Sequence, residues 1–190
     1  MVVGTALMGK HTQNAGDSLD GFVSDLDPAT IAEHMVHPLR HPHAILKLAS
    51  TRLVYDLFAY VRTRNRVHPE PVAVYTLARE THAADLYHRE QTKIQHSFAY
   101  SDGFGRVIQN KLQAEPGPLS DDGPVLDPRW VGSGWTIYNN KGKPIRQFEP
   151  FFTASHAFDL PASSVSARPS STIHYSASSP RFIRITAMTK

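Results

Sequence analysis

The residues most able to do chemistry lie in three places. His34, His37, His41 and His43 crowd together beside Glu33, and imidazoles at such spacing could hold a metal ion. Zinc needs three or four convergent ligands, and Pro38 and Pro42 interrupt any helix that would bring these rings together. The stretch therefore reads as a solvated polar connector. Glu80, His82, Asp85, His88 and Glu90 form a second cluster. Acid–base catalysis would need two of them to converge on a pocket with shifted pKa values. Glu80 and His82 share a side of an extended chain, but that is commonplace, and a hydrated loop between strands is expected. Ser133 stands in Val131-Gly132-Ser133-Gly134-Trp135, whereas a nucleophile elbow separates its serine from each glycine by one residue. Trp130, Trp135 and Tyr138 could stack on sugars, yet aromatics at strand starts serve more often as buried anchors. The reading is of a chain with no catalytic residue, no cofactor and no metal.

The bulk properties agree. The 190 residues carry no cysteine, which excludes a disulfide scaffold and thiolate metal sites. The net charge is +3, and the densest basic run is Arg62, Arg64 and Arg66. On a strand these three would point the same way, as a solvated edge and not a phosphate track, so no nucleic-acid partner is expected. No apolar run approaches the ~20 residues that span a bilayer. Met1 to Lys10 lacks the basic start and apolar core of a secretory signal.

Fourteen prolines favour many short elements over a few long helices. Residues 1–26 form an irregular lead-in and 27–50 a short helical segment. There Asp27 can cap a helix that begins at Pro28 and stops before Pro38, with Ile31, Met35 and Ala32 on one face. A second short helix is expected at Ala44–Leu48. Strand patterning takes over from 51 to 160. Thr51–Tyr60 reads as a strand buried on most of both faces, with Asp56 the exception, and Val72–Leu77 as another. Thr92–Tyr100 alternates Ile94, His96, Phe98 and Tyr100 against Lys93, Gln95 and Ser97. Arg106–Ala114 alternates Ile108, Asn110, Leu112 and Ala114 against Val107, Gln109 and Lys111. The Asp102-Gly103 pair between them predicts a hairpin. After a proline-rich loop, Trp135–Tyr138 and Lys143–Phe152 flank a turn through Asn139-Asn140-Lys141-Gly142. The fold class is mainly β: an antiparallel meander of hairpins behind a short helical segment.

The two turns share a pattern. Tyr100-Ser101-Asp102-Gly103-Phe104-Gly105-Arg106-Val107-Ile108 resembles the Y-D-x-x-G-R-hydrophobic unit of Rhs/YD repeats. Tyr138-Asn139-Asn140-Lys141-Gly142-Lys143-Pro144-Ile145 is a degenerate copy. In each, an aromatic anchors the incoming strand, an Asx–Gly turn reverses it, and a basic residue opens the return strand. Together with TRLVYDLFAY, YTLARETH, QTKIQHSFAYSDGFGR, KLQAEPGP and RWVGSGWTIYNNKGKPIRQFEPFF, the units make residues 15–158 similar to the Rhs-repeat B component of insecticidal toxin complexes. The resemblance implies a hollow β-shell that encloses a toxic C-terminal enzyme. It implies as partners the remaining repeats and other toxin-complex subunits, a place outside the cell for the whole assembly, and a chain that is one piece of it; this piece by itself, lacking a signal peptide, would be cytoplasmic. The alternative is a small β-rich module that binds carbohydrate or another surface through its aromatics. An enzyme built on the Glu80–Glu90 cluster is a third reading.

Residues 161–190 break the pattern. Eight of the twenty residues from Pro161 to Pro180 are serine, without alternation or turn units, and read as a disordered tail. Taking the third base of each codon with the first two of the next, Ser176 to Thr186 can be read as R-V-V-A-T-L-H-P-N-H. Extended back to Ser163, the same frame allows F-Y-D-P-L-Q, another YD unit. The tail is thus expected to be out of frame from a shift near residues 159–163, with at most one short strand near Arg181–Thr186.

Overall fold

The computed structural model describes residues 1–9, 16–87 and 90–160, and the backbone of 171–172. Its centre is a seven-stranded antiparallel sheet in the order β1-β2-β3-β4-β5-β6-β9. These are β1 Gly4–Thr5, β2 Thr51–Asp56, β3 Val72–Arg79, β4 Ile94–Ser101, β5 Val107–Ala114, β6 Arg129–Gly132 and β9 Phe151–Thr153. The five strands from β2 to β6 are neighbours in sequence order, so this part is a meander. Between β6 and β9 the chain leaves to form the hairpin of β7 Thr136–Tyr138 and β8 Pro144–Gln147, with β10 Ser171–Thr172 added beside β8. The fold is mainly β, as the alternating runs predict.

Among the described residues the three α-helices are short. In α1, Pro28–Val36, the Asp27 carboxylate accepts the N–H groups of Ala29 and Thr30, both at 3.0 Å, and the Thr30 hydroxyl at 2.6 Å. This is the expected cap. Ile31 and Met35 face the core, but the buried member of the helix is His34, and Ala32 is exposed. The second helix, α2, runs Pro42–Leu46, slightly earlier than expected, and buries Ile45 and Leu46.

The third helix, α3 Ala59–Thr63, corrects the reading of Thr51–Tyr60 as one strand. Asp56 pairs with Ala73 near the start of β3, and beyond it β2 would have no partner. The chain turns instead. Asp56 is buried and holds Arg62 at 2.5 Å, while Thr63 donates to the Ala59 carbonyl and accepts the Glu70 N–H. Leu57, Phe58 and Tyr60, expected inside, are exposed. The run Arg62, Arg64, Arg66 consequently lies in a helix and its exit, not on a strand edge, with Arg66 paired to Glu70. The expected single strand Lys143–Phe152 is also divided, at Phe148-Glu149-Pro150, into β8 and β9.

One face of the large sheet is the core. Tyr75, Phe98 and Tyr100 stack across β3 and β4, with Tyr75 and Phe98 directly opposite in register and their ring centroids 4.7 Å apart. Trp130 of β6 meets Phe98 edge-on. Such aromatic cross-strand pairs add to the area they bury. Over this face lie α1, α2 and a strap, residues 154–160. His156 of the strap sits against Phe98 and Trp130, and Phe158 sits against Tyr100. The opposite face carries Leu53, Tyr55, Val74, Leu112, Val131 and Phe152, of which Leu112 is 47% and Phe152 44% exposed.

On β5 the side chains turned inward are Gln109 and Lys111, while Leu112 points out. The strap supplies the reason. Lys111 Nζ is bonded to the Asp159 carboxylate and donates to the Ser155 carbonyl. Gln109 exchanges two hydrogen bonds with the Asp159 backbone, at 3.0 and 3.3 Å. A buried ammonium is tolerated only when so paired. The expectations for 161–190 lie outside the described residues, apart from Ser171–Thr172, which pair with Arg146 and Gln147.

Candidate functional site

The predicted hairpin forms: β4 and β5 pair antiparallel. Its turn differs in detail from an Asp102-Gly103 closure. The Asp102 N–H donates to the Arg106 carbonyl and the Gly105 N–H to the Asp102 carbonyl, both at 3.0 Å. The residue with positive φ is Gly105, at 75°, and not Gly103. This is the three-residue loop in which a turn is followed by a left-handed residue and a bulge. An L side chain at Gly105 would be strained there.

The second turn repeats this geometry atom for atom. Asn139 N–H donates to the Lys143 carbonyl, Gly142 N–H to the Asn139 carbonyl, and Gly142 has φ 73°. In the first turn Asp102 Oδ1 accepts the N–H groups of Phe104 and Arg106; in the second, Asn139 Oδ1 accepts those of Lys141 and Lys143. Both hairpins also shift register at the same point, between Tyr100 and Ser101 and between Ile137 and Tyr138. The residues left over are Ile108 and Ile145.

This equivalence corrects the alignment of the two tyrosines. The residue before Asp102 is Ser101, so Ser101 corresponds to Tyr138, and Tyr100 corresponds to Ile137. Tyr100 is buried in the core and its hydroxyl donates to the His156 carbonyl at 2.7 Å. Burial raises its pKa, with Asp159 and Glu70 adding to the shift. Tyr138 is half-buried and does a different task.

That task is to receive Arg106. The guanidinium grips Asp102 Oδ2 through Nε at 2.7 Å and Nη2 at 2.6 Å. It lies 4.7 Å from the centre of the Tyr138 ring and 5.0 Å from that of Phe104, and Nη1 reaches the Asn139 carbonyl at 3.4 Å. The Tyr138 hydroxyl returns a bond to the Val107 carbonyl at 3.0 Å. Partial burial works to raise the Asp102 pKa, but the bonds from Arg106 and the turn amides outweigh it and hold the carboxyl below its usual range. The two turns are thereby clamped together. Tyr100, Asp102, Gly105, Arg106, Tyr138 and Gly142 each have a structural part, while Gly103 has no left-handed backbone to supply.

The other candidates disperse. His82 of the second cluster turns to Asp17, with Nδ1 3.0 Å from Oδ2. Glu80 takes a bond from Gln95 and Glu90 one from the Tyr87 N–H; His88 is outside the described residues. Asp17 gave no signal in the sequence, yet it is a buried hub. Its carboxylate accepts the Ser50 hydroxyl, the Ala83 N–H at 2.7 Å and His82, with Arg79 at 3.5 Å. Burial by itself would raise its pKa; these bonds and the Arg79 charge prevail and lower it. Although serine, histidine and aspartate meet here, the Ser50 hydroxyl gives its proton to the carboxylate and not to an imidazole. Its oxygen also accepts the Leu7 N–H, so the cluster ties the lead-in to the sheet.

Of the first cluster, His34 is buried, His37 follows α1, His41 precedes α2 and His43 is half-buried. Among the described residues no three His, Cys, Asp or Glu side chains gather as a metal would require. The Ser133 hydroxyl donates to the Gly134 carbonyl and accepts the Asn110 N–H. Trp130 is 1% exposed and unavailable to a sugar, and Trp135 packs on Phe158.

What these features define is a mainly β meander built on a repeated Asx–Gly turn whose copies are joined by an arginine clamp. Solved structures of toxin-complex proteins share the fold. The chain is 24% identical to a chain of TcdB2-TccC3 over 75% of its own length, with TM-score 0.50. Against TcdB2-TccC3 without its hypervariable C-terminal region it is 18% identical over 82%, with TM-score 0.55. It spans only 7% and 9% of those chains. No family model and no curated protein sequence matches it. Among the described residues no helix is long and apolar enough to cross a membrane.

Proposed function

We propose that the chain is a stretch of wall from a much larger Rhs-type shell of an insecticidal toxin complex, working by structure and without a catalytic residue. The observation that carries this is the repeated turn: two units share hydrogen bonds, left-handed glycine and bulge, and one clamps the other. A unit whose copies bind each other is suited to a long array, in which each copy buries surface against its neighbours. The fold shared with TcdB2-TccC3 supports the same reading. In it, further repeats and other toxin-complex subunits are the partners. The enclosed cargo is a toxic C-terminal enzyme, and the complex acts outside the cell that makes it.

Sequencing the locus beyond codon 190 in every frame tests the proposal. Further Y-D-x-x-G-R units in continuous phase with one another are the expected result. A locus that stops in all frames directly after this point would overturn it. The isolated chain should also bind hydrophobic dyes and self-associate through its exposed apolar side chains and open strand edges.

A further inference from the structure

The contact between the sheet and the elements that cover it is unusually rich in histidine. His96 projects from β4 into the core and is 5% exposed. Its Nδ1 lies 2.6 Å from the Tyr75 hydroxyl, and that hydroxyl is 2.8 Å from the Pro38 carbonyl at the end of α1. A carbonyl only accepts, so Tyr75 donates to Pro38 and the imidazole donates to Tyr75, which fixes the proton on Nδ1. From the strap, His156 Nε2 donates to the Met35 carbonyl of α1 at 2.9 Å. From α1 itself, His34 is 5% exposed and its Nδ1 has no hydrogen-bond partner in the structure. Three imidazoles thus lie in the seam where α1 meets the sheet and strap. A groove lined by His37, Pro38, Arg40, Trp130, Ser155 and His156 runs along the same seam.

The charges facing these rings are mostly positive. Arg52 of β2 and His41 face His34, with Glu33 the opposing carboxylate, itself paired to Arg40. His43 of α2 faces His96 and is in turn faced by Arg79 of β3, which is paired to Asp17. Lys111 of β5 and His37 face His156, and the carboxylate nearest Lys111, Asp159, is already bonded to it. A proton added to any of these rings finds no free acid to pair with among the described residues, and water is its remaining source of stabilisation.

We propose that α1 and its Pro38 connector form a cover that lifts from the aromatic face of the sheet, and from the strap that Lys111 and Gln109 keep on β5, when the chain is acidified. Burial is the largest cause that holds His34, His43, His96 and His156 below the ordinary value of 6.5, with His96 pulled down to about 4; neighbouring cations add to it, and Glu33 beside His34 and the Met35 carbonyl on His156 oppose it without reversing it. Below pH 6.5 the opened form takes up protons that the closed form refuses. Closure is therefore fully favoured above 6.5 and weakens progressively as pH falls towards 4. The line of parting lies between the two helices. The α2 region is held by arginines, which keep their charge throughout: Arg52 donates to the Ile45 carbonyl, and Arg79 to those of Lys47 and Ala49. Its neighbour α1 is held through histidine and tyrosine.

Amide hydrogen exchange of the whole chain between pH 7 and 4.5, corrected for intrinsic rates, tests this. Amides in 28–38 should lose protection by at least about tenfold, the effect of one pKa unit at one site. Those of β3, β4 and 42–50 should keep theirs, and Trp130 emission should shift red over the same pH range. The double variant His96→Asn, His156→Gln retains an N–H donor at each position and cannot be protonated, so its cover should open at lower pH and less steeply. Unchanged protection of 28–38 across the range would overturn the proposal. So would a sheet that opens in step with α1, or a double variant that opens as the parent does. If the double variant does not fold, the exchange profile of the parent chain decides alone.

Discussion

The two turns have the same backbone and different side chains. At 102–106 and at 139–143 an Asx oxygen collects two amides, a glycine adopts the left-handed conformation and the strand beyond bulges. The first turn adds an ion pair, Asp102 with Arg106, and joins two long strands of the main sheet. The second has an amide in place of the carboxylate and joins two short strands of the small sheet. The Asx oxygen and the glycine are thus enough to make the turn. The carboxylate and arginine fasten one turn to the next.

Four measurements test this difference between the turns, the first three by urea denaturation of dilute protein. Tyr100→Ala should cost about 3–5 kcal/mol, as for other fully buried aromatics. Tyr138→Ala removes a half-buried ring and should cost roughly 1–2 kcal/mol. Equal losses would restore the two tyrosines to equivalence. Gly105→Ala and Gly142→Ala should each cost about 1–2 kcal/mol, since both force a Cβ into the left-handed region. Gly103→Ala, at a position without positive φ, should cost clearly less. If it proves the most damaging of the three, the turn closes at Asp102-Gly103 after all.

Smaller effects concern the clamp. Asp102→Asn makes the first turn like the second, keeping the Oδ1 acceptor and losing the ion pair. A loss below about 1 kcal/mol is expected. A loss several times larger would mean that the charge, and not the Asx oxygen, shapes the turn. The smallest signal is a pH dependence. The folded pKa of Asp102 lies below its ordinary 3.8, so its contribution is present above pH 3.8 and disappears as pH falls below it. Asn139 does not titrate. Chemical shifts of the Phe104 and Arg106 amides should therefore move in strong acid by more than those of Lys141 and Lys143. Parallel movement in both turns would remove the distinction.

The histidines illustrate how a residue type can be noticed for the wrong reason. Adjacency in sequence makes His34, His37, His41 and His43 resemble a set of metal ligands. In the structure His34, His96 and His156, from α1, β4 and the strap, each lie where α1 meets the sheet and its strap. No local spacing connects residue 34 with 96 or 156. Asp17 is comparable: a lone carboxylate in an irregular lead-in carries no pattern, and its importance comes from Ser50, Arg79 and His82 converging on it.

Features that depend only on neighbours along the chain can be read from the order of the residues. Period-two alternation made β4, and its apolar members Ile94, Phe98 and Tyr100 are buried together with His96. Asp27 capped α1 because its carboxylate needs only the next turn of backbone. Asx and Gly at fixed offsets made the two hairpin turns, since those bonds close within five residues. The rest follows from contacts between residues far apart in the chain. Arg62–Arg66 form a helix and its exit because β2 runs out of a partner strand at Asp56. On β5, Lys111 lies inward and Leu112 outward, because a strap some fifty residues later in the chain brings Asp159 and Ser155 to the ammonium. Local hydropathy ranks leucine above lysine for burial; a paired and hydrogen-bonded charge reverses that order, and its partners are set by the fold.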